Sequence, residues 1–399
     1  MIAKRLRESL DSAICIRDIF EEGKKLAAVY GAENIFNFTI GNPSIEPPAL
    51  VRDTMKELLD REPPLALHGY PANVGFPEVR AHLAEHLNRS YGCHYTQEGL
   101  VMTSGAAAAI ALLCNTLLDQ GDEVVTFAPY FWEYKNYVET FYGRLVPAQC
   151  DHKTLQPDPA TLEAALSPRT RFVLINTPNN PTGAVYTEES IRMVAELLCR
   201  KEQEYGHPIY LVSDEPYRKL AYDMEVPYLT HFYHNAIVVY SYSKTLSIPG
   251  ERIGYIAMEP DVDDFEDLLA GITASMRFLG YVNAPTLQQK LLLKCADVTV
   301  DTGIYKKTRD VLYEGLTRIG YTCIHPDGAF YLFVKALEED DAHFCQEAKK
   351  ERILLAPGTA FSGPGWVRIS YCVSAETAQR SLPGFARLYE RYQTGAVDR

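Results

Sequence analysis

The sequence predicts an α/β protein with a large, mainly parallel sheet flanked by helices and a second, smaller α+β domain. The main observation is that short apolar runs alternate with helix-length stretches between about residues 99 and 257. A second observation is the change of pattern after about residue 290, where a long helical stretch precedes two short strand-like runs. The length of 399 residues and the hydrophobic content of 47% are sufficient for two such domains.

Residues 1–30 predict a helix, because apolar residues such as Ile16, Ile19 and Leu26 recur at helical spacing. The Gly- and Pro-rich residues 41–48 then predict an irregular segment. The predicted strands of the large domain are Leu100–Thr103, Glu123–Phe127, Arg171–Asn176, Ile209–Ser213, Ala236–Ser241 and Ile253–Ala257, and the helices between them include Ala106–Leu118 and Glu188–Tyr205. Ligands of such sheets bind at the carboxyl ends of the strands.

The C-terminal part of the chain has the pattern of a smaller domain. A long helical stretch through Leu316 is followed by the strands Phe330–Val334 and Val367–Tyr371, with a helix and the loop Pro357–Phe361 between them. We therefore predict a large domain over residues 49–285 and a small domain over residues 286–399. The N-terminal segment, residues 1–48, is expected to complete the small domain.

Composition excludes several classes of protein. The net charge of -13 argues against a nucleic-acid partner and against binding to an anionic membrane surface. The nine cysteines are odd in number and contain no Cys-x-x-Cys pair, so we expect reduced thiols in the cytoplasm. The first residues carry charge where a signal peptide needs an apolar segment, and no apolar run approaches the roughly 20 residues of a membrane span.

The most informative motif surrounds Lys244, which follows the apolar strand Ala236–Ser241. A buried ammonium without a partner is costly, so we expect a lysine with a lowered pKa that can attack a carbonyl. Ser241, Ser243 and Arg252 offer the hydroxyl groups and the guanidinium that bind a phosphate. An aldehyde that also carries a phosphate describes pyridoxal phosphate. The alternative is a surface lysine beside a surface arginine.

Two further segments follow predicted strands and suit a ligand. Gly105, Ala106 and Ala107 begin a helix with small residues only, so its first N–H groups are accessible to a phosphate. The alternative is an ordinary alanine-rich helix start, because no full Gly-x-Gly-x-x-Gly is present. Asn180 lies in a loop stiffened by two prolines, which can hold its amide towards a ligand, although the same residues are typical of a turn.

Four other side chains complete the set of candidates. Asp214 ends a buried strand and needs a cation, which a protonated pyridine nitrogen would supply, and Tyr217 could bind the ring oxygen of the same cofactor. The alternative is a plain turn, which Asp-Glu-Pro-Tyr by itself more often forms. Phe131 follows another strand and can stack on a planar ring, although aromatic clusters more often belong to a core. Arg368 lies within an apolar strand and can clamp a carboxylate, unless it faces water from an edge strand.

The candidate residues occur along the chain in an order, and at strand ends, in which the chain resembles the class I/II aminotransferases of the fold-type I pyridoxal-phosphate family. The motifs that carry the resemblance are Asn-Asn-Pro-Thr-Gly at 179–183, Ser-Asp-Glu-Pro-Tyr at 213–217 and Ser-Tyr-Ser-Lys at 241–244. The resemblance extends from Gly41 to Arg368 and implies a seven-stranded sheet in the large domain, as in aspartate aminotransferase.

The resemblance also implies roles for individual residues in holding pyridoxal 5'-phosphate. Lys244 would form the Schiff base and move the proton between the substrate Cα and the cofactor, while Asp214 would keep the ring nitrogen protonated. The remaining cofactor ligands are Tyr217 and Asn180 on the ring oxygen, Phe131 stacked on the ring, and Ser241, Ser243, Arg252 and the amides of Gly105, Ala106 and Ala107 on the phosphate.

Substrate and partner residues follow in the same way. Arg368, with Asn180 and the backbone of Gly41, would bind the substrate α-carboxylate. Tyr70, in Gly-Tyr-Pro-Ala-Asn at 69–73, matches the tyrosine that reaches the phosphate of a neighbouring subunit, so a homodimer is implied. No metal is expected.

The amino-acid donor stays open between aspartate and an aromatic or apolar residue. Alignment on Tyr281 places Phe278 where the aspartate-specific branch has a second arginine, and Arg277 lies one residue away. We expect ping-pong transamination with 2-oxoglutarate as the acceptor. Lyases and other Cα chemistry on the same cofactor site are the alternative.

Three other classes of protein fit fragments of the sequence. Ser241 and Lys244 match the Ser-x-x-Lys motif of serine acyl-enzymes. That class needs a helix start at this point and also the partner motifs Ser-Asp-Asn and Lys-Thr-Gly, and this chain lacks the partner motifs. His82 and His86 flank the His-x-x-Glu-His of inverted zincins, which also fits an ordinary helix with a solvated face. A ligand-sensing regulator on the same fold would need an appended basic DNA-binding module, for which we see no room.

Overall fold

The computed structural model describes residues 2, 6 and 7 and residues 16–397 of the chain. Its strands are β1 (Phe36–Asn37), β2 (Leu100–Thr103), β3 (Glu123–Ala128), β4 (Arg144–Gln149), β5 (Thr170–Asn176), β6 (Tyr210–Asp214), β7 (Ala236–Ser241), β8 (Gly254–Met258), β9 (Cys323–Ile324), β10 (Tyr331–Lys335), β11 (Ile353–Leu354), β12 (Ala356–Pro357) and β13 (Trp366–Ser370). Its α-helices within residues 16–397 are α1 (Ile16–Tyr30), α2 (Ala49–Arg61), α3 (Pro64–His68), α4 (Pro77–Tyr91), α5 (Ala106–Leu117), α6 (Glu133–Thr140), α7 (Pro159–Ala165), α8 (Glu188–Tyr205), α9 (Tyr242–Thr245), α10 (Phe265–Phe278), α11 (Thr286–Cys295), α12 (Thr302–Ile319), α13 (Asp341–Lys350) and α14 (Ala375–Thr394).

The large sheet has seven strands in the order β2-β8-β7-β6-β5-β3-β4. Strand β8 is antiparallel to both of its neighbours, and all the other strands of the sheet run in one direction. The predicted mainly parallel sheet is therefore confirmed. Its central strands β3, β6 and β7 are buried at every residue, because helices cover both faces, and this explains their continuous apolar sequences.

Strand β4 was not predicted from the sequence. It lies at the edge of the sheet, pairs with β3 alone and is exposed at Arg144, Pro147 and Gln149. A proline is tolerated on an edge strand because the ladder there needs fewer N–H donors. The segment therefore lacks the apolar run by which the other strands were recognised.

The smaller part of the fold contains the four-stranded antiparallel sheet β12-β13-β10-β9. Strand β1 pairs with β11, so that Phe36 lies beside Ile353 and the N-terminal segment joins the C-terminal part. The division of the chain at residues 48 and 285 stays a prediction. The packing changes after Cys295, however, because α11 packs with the core of the large sheet and Val300 already belongs to the core around β10.

The predicted N-terminal helix is described from Ile16 to Tyr30, and its earlier part lies outside the described residues apart from positions 2, 6 and 7. None of the helices described is both long and apolar enough to cross a membrane.

The parallel arrangement decides where functional side chains meet. The carboxyl ends of β2, β3, β5, β6 and β7 lie at one edge of the large sheet, and Arg252 precedes β8 at the same edge, since Ser241 pairs with Gly254. Loops that are far apart along the chain are therefore neighbours in space.

Candidate active site

A cavity of about 690 Å³ lies at this edge of the large sheet, and residues of β10 and β13 close its other side. Most of the residues predicted from the sequence line it: Gly41, Ala106, Ala107, Phe131, Asn180, Asp214, Tyr217, Ser241, Ser243, Lys244, Arg252 and Arg368. Gly105 does not line the cavity, although its neighbour Ala106 does, and Tyr70 does not line the cavity either. The strand-end motifs therefore form one site.

One end of the cavity is built to hold an anion. Gly105 has a φ of 87°, which favours glycine, and a Cβ at this residue would lie 2.6 Å from the Arg252 guanidinium and displace it. Arg252 donates to the carbonyl oxygens of Ser104 at 2.9 Å and Pro249 at 3.0 Å. The hydroxyls of Ser241 and Ser243 lie 2.8 Å apart beside the start of α5, whose first N–H groups lack helical partners.

Lys244 is partly exposed to the cavity, and its Nζ donates to the carbonyl oxygen of Gly41 at 2.9 Å. Loss of hydration by burial lowers the pKa of Lys244 to about 8, and the positive charges of Arg252 and Arg368 act in the same direction. A substantial fraction of this amine is therefore neutral near physiological pH, which is the state in which a lysine attacks a carbonyl.

The segment around Lys244 also bears on the serine acyl-enzyme alternative. The short helix α9 does begin at this point, with the Ser241 side chain accepting from the N–H of Ser243 as its cap. The helix start that a serine acyl-enzyme needs is therefore present, whereas its partner motifs are absent from the sequence. The Ser241 hydroxyl nevertheless contacts Ser243, and the Lys244 amine contacts Gly41, so the serine is not paired with the lysine as nucleophile and base.

Asp214 is buried at the end of β6 and has one satisfied and one unsatisfied carboxylate oxygen. Its Oδ2 accepts from the hydroxyl of Tyr134 at 2.6 Å, while Oδ1 has no hydrogen-bond partner. Burial raises the pKa of Asp214 to about 7, although the bond from Tyr134 opposes this shift. A cationic donor beside Oδ1 would remove this cost.

The loop after Asp214 is held by a buried ion pair. Arg218 binds both carboxylate oxygens of Glu215, and its guanidinium also donates to the carbonyl oxygens of Val226 and Pro227. The same guanidinium lies over the ring of Tyr228 at 4.7 Å. These contacts fix the chain between Asp214 and Tyr217.

A relay of amides connects the two sheets. The Asn176 side chain donates to the carbonyl of Asp214 at 2.7 Å and accepts from the N–H of Asn180 at 2.7 Å. The Oδ1 of Asn180 then accepts from Nη1 of Arg368 at 2.9 Å. Arg368 of β13 is thereby attached to the strand ends of the large sheet.

Arg368 is a buried cation with incomplete hydrogen bonding. Its Nη2 donates to the carbonyl of Thr39 at 2.5 Å, and its Nε has no partner. Burial lowers its pKa, and within the described part of the chain no carboxylate forms an ion pair with it. An anionic ligand would satisfy this guanidinium.

Sequence reasoning missed two tyrosines of this site, Tyr134 beside Asp214 and Tyr331, whose hydroxyl lies 2.8 Å from that of Tyr217. Nothing in the local sequence distinguishes them among the 26 tyrosines of the chain. The sequence could have indicated Trp132, because this residue belongs to the same aromatic run as Phe131. Other lining residues outside the prediction are Glu21, Lys24, Thr39, Ile40, Ile110, Tyr137, Asn176, Pro216 and Pro249.

Three residues discussed from the sequence do not line the cavity of their own chain. Tyr70 is 90% exposed and Phe278 is 77% exposed, and Arg277 beside it is exposed as well. Within this chain, neither Arg277 nor Phe278 lines the cavity.

The zincin-like histidines are also remote from this site. His86 is a buried residue of α4, and its Nδ1 contacts the carboxylate of Asp297. In the described part of the chain, the acidic and histidine groups close enough to share an ion are Glu202, His234 and Asp263. They lie near the opposite edge of the large sheet, where β6 and β7 begin.

Comparison with known proteins agrees with this geometry. The chain matches the family model of aminotransferase class I and II over residues 33–383. The aspartate/prephenate aminotransferase of Thermus thermophilus is 30% identical over 370 residues, which cover 88% of this chain and 90% of the relative.

Solved structures give the same result. An aminotransferase from Eubacterium rectale is 48% identical with a TM-score of 0.95, and the match covers 98% of this chain and 99% of that one. The aspartate aminotransferase of Thermus thermophilus with maleate is 27% identical with a TM-score of 0.85, over 97% of this chain and 100% of that one. The chain therefore belongs to the class I and II aminotransferases, the family that its strand-end motifs resemble.

Proposed function

We propose that the chain is a pyridoxal 5'-phosphate-dependent aminotransferase that moves an amino group between an L-amino acid and a 2-oxo acid such as 2-oxoglutarate in a ping-pong reaction. One observation carries the proposal. A single cavity combines an amine with a pKa near 8 at Lys244, an unpartnered carboxylate oxygen at Asp214 and an anion cradle around Arg252.

The residues present fit the cofactor. Asp214 Oδ1 lacks the donor that a protonated pyridine nitrogen would provide, and the cradle beside Gly105 suits a phosphate. When bound, the cofactor supplies an aldehyde that takes up amino groups and a ring that accepts electrons from the substrate Cα. Phe131 is placed to stack on that ring.

Each residue then has a definable task. The Nζ of Lys244 would hold the cofactor aldehyde and would also carry the proton at the substrate Cα. Tyr217 and Asn180 bind the ring oxygen, and Ser241, Ser243, Arg252 and the amides of residues 105–107 bind the phosphate. The Gly41 carbonyl, which accepts from Nζ, keeps the amine directed into the cavity.

Substrate anchoring is proposed for Arg368, with Asn180 and the backbone near Gly41. The guanidinium is buried and lacks a counter-ion in the described residues, so a carboxylate that reaches it meets a charge already stripped of water. A lyase acting on an amino acid would use the same residues. The distinction depends on whether a 2-oxo acid is required for turnover.

Lys244→Ala is expected to abolish turnover and borohydride trapping of the cofactor on the protein. In the wild-type enzyme, cofactor-free protein should react with added pyridoxal 5'-phosphate faster as the pH rises, with a midpoint near the pKa of about 8, because only the neutral amine attacks. Rapid mixing with absorbance detection measures this rate.

Lys219→Ala is the matched control. Its Nζ also donates to a backbone carbonyl, that of Ala296 at 2.9 Å, and burial also lowers its pKa, but it lies outside the cavity. Trapping on Lys219, or full turnover by Lys244→Ala, would contradict the assignment.

Asp214→Asn is expected to change the stability of cofactor-free and cofactor-loaded protein in opposite directions. Without cofactor, folding raises the pKa of Asp214 from 3.8 to about 7, so wild-type stability falls as the pH rises from about 4 to about 7. The amide carries no charge, so the variant should be more stable than wild type at about pH 8, by about 2–4 kcal/mol.

Urea unfolding across this pH range measures the effect. In the loaded enzyme the sign should reverse, because the wild-type carboxylate then pairs with the ring nitrogen. A variant that is destabilised equally with and without cofactor would show that Asp214 has only a structural role.

The donor is proposed to be aspartate or an aromatic amino acid. An apolar wall supports the aromatic donor: Ile40, Ile110, Phe131, Trp132 and Tyr137. Aspartate is supported by relatives named aspartate aminotransferases and by Lys24 of α1, which lines the cavity and forms an ion pair with Glu21 at 2.9 Å. Arg277 remains a candidate only if it acts in the cavity of another subunit.

A half-reaction screen over the proteinogenic amino acids distinguishes these donors, following the absorbance of the bound cofactor. If aspartate and glutamate react fastest and Lys24→Ala or Arg277→Ala slows only these two, the distal carboxylate is bound by that cation. If aromatic donors dominate and neither substitution matters, the dicarboxylate assignment fails. Arg368→Ala should slow every donor alike, and ammonia release without a 2-oxo acid would indicate a lyase.

A homodimer with Tyr70 in the neighbouring active site is also proposed. Tyr70 and Leu65 are 90% and 88% exposed, and this segment adjoins the one carrying Phe278. Two hydrogen bonds join these two segments. Asn73 donates to the carbonyl of Val282 at 2.7 Å, and Thr286 donates to the carbonyl of Leu67 at 2.6 Å. Such an exposed apolar patch is typical of a protein interface.

Mixed dimers test the contribution of Tyr70. Tyr70→Ala and Lys244→Ala are each expected to have low activity, but their co-refolded mixture should recover about a quarter of wild-type activity. Half of a random mixture is heterodimer, and one of its two sites is intact if Tyr70 is supplied by the partner. No recovery would mean that Tyr70 acts within its own chain or not at all.

A cytoplasmic location is part of the same proposal. The eight cysteines of the described residues are free thiols, as expected of a protein from a reducing compartment.

A further inference from the structure

Tyr331 lies between the two halves of the active site and has no role in the function proposed above. It begins β10, its side chain is 2% exposed, and it lines the cavity. Its hydroxyl lies 2.8 Å from the Tyr217 hydroxyl, and its ring lies 4.7 Å from the Arg368 guanidinium carbon. It therefore touches both a proposed cofactor ligand and the proposed substrate ligand.

The ring of Tyr331 is one wall of a slot around Arg368. The ring of Phe361 is the second aromatic contact of this guanidinium, 4.4 Å from the same carbon. Asn180 and the Thr39 carbonyl accept from the guanidinium at its edge. Two aromatic faces and two acceptors together fix the plane in which Arg368 can meet a carboxylate.

The hydroxyl of Tyr331 determines the direction of a hydrogen bond. Both tyrosines stay neutral at physiological pH, because burial raises the pKa of Tyr331 to about 12 and that of Tyr217 well above its usual value. Each hydroxyl has one proton, so in this pair one donates and the other accepts. When Tyr217 uses its proton on the cofactor ring oxygen, Tyr331 must be the donor to Tyr217.

Gly41 leaves the space that this arrangement needs. A Cβ at residue 41 would lie 2.0 Å from the Tyr331 hydroxyl oxygen, so any larger residue would displace that hydroxyl from Tyr217. The carbonyl oxygen of this same glycine accepts a hydrogen bond from Nζ of Lys244. The glycine thus lets Tyr331 approach without blocking the lysine.

We propose that Tyr331 is a positioning residue that links the cofactor and substrate sites, its hydroxyl directing the Tyr217 proton to the ring oxygen and its ring holding the Arg368 guanidinium. This inference rests on the proposed function, since it takes the ring oxygen and the α-carboxylate as the ligands. The two tasks belong to different parts of one side chain and can be removed separately.

Tyr331→Phe removes the hydroxyl and keeps the ring. The ring oxygen of the cofactor then has a weaker donor, so the linkage between cofactor and Lys244 should hold its proton to higher pH. The midpoint of the pH titration of the visible absorbance is expected to rise by about 0.5–1 unit, the equivalent of one neutral hydrogen bond. The KM values for amino acid and 2-oxo acid should stay within about twofold of wild type, since the wall of Arg368 remains.

Tyr331→Leu removes both parts. It should show the same absorbance shift and also raise both KM values about tenfold, as expected for loss of one aromatic face from a buried guanidinium. Tyr321→Phe is the matched control, because this buried tyrosine donates to the Phe385 carbonyl at 3.0 Å outside the cavity. It should lose stability without either effect.

An unchanged midpoint in Tyr331→Phe would overturn the role of the hydroxyl, and unchanged KM values in Tyr331→Leu would overturn the role of the ring. A shift of equal size in Tyr321→Phe would show that general destabilisation is the cause.

A further measurement keeps the test independent of the cofactor. Titration of cofactor-free protein with 2-oxoglutarate, read by the fluorescence of Trp132 in the cavity wall, should show about tenfold weaker binding in Tyr331→Leu and little change in Tyr331→Phe. Equal binding by all three proteins would overturn the substrate half of the inference. Wild-type protein that binds 2-oxoglutarate but no cofactor would refute the proposed function alone.

Discussion

The active site depends on charged groups that are withdrawn from water without ion-pair partners in the described chain. Asp214 and Arg368 are buried, and the hydration of Lys244 is reduced enough to bring its pKa to about 8. Such groups reduce the free energy of unfolding of the empty protein. The rest of the fold provides the packing that offsets this cost, and a ligand with complementary charges would remove it.

The two sheets contribute different parts of the site. The large sheet carries the amine, the carboxylate and the anion cradle at the ends of strands that run in one direction. The small antiparallel sheet contributes Arg368 and Tyr331 from neighbouring strands. Contacts through Asn180 and Tyr217 bring these two sets together, so under the proposed function substrate binding depends on how the sheets are joined.

Residues that would distinguish substrates lie at the margins of this arrangement. Lys24 lines the cavity from α1, whereas Arg277 and Phe278 are exposed at the end of α10. Neither position is fixed by the strands that hold the reacting groups. Under the proposed function, changes there would alter the side chain that the enzyme accepts without disturbing the chemistry at Cα.

The sequence alone was sufficient for the α/β architecture and for about half of the residues that line the cavity. Most of these predicted residues follow the carboxyl ends of parallel strands, which lie at one edge of the sheet. Edge strand β4 escaped prediction, since Arg144 and Pro147 break the apolar pattern there. Tyr134 and Tyr331 contact partners 80 and 114 residues away along the chain. Only the tertiary structure decides such contacts, because no local periodicity records which of many similar tyrosines will face Asp214 or Tyr217.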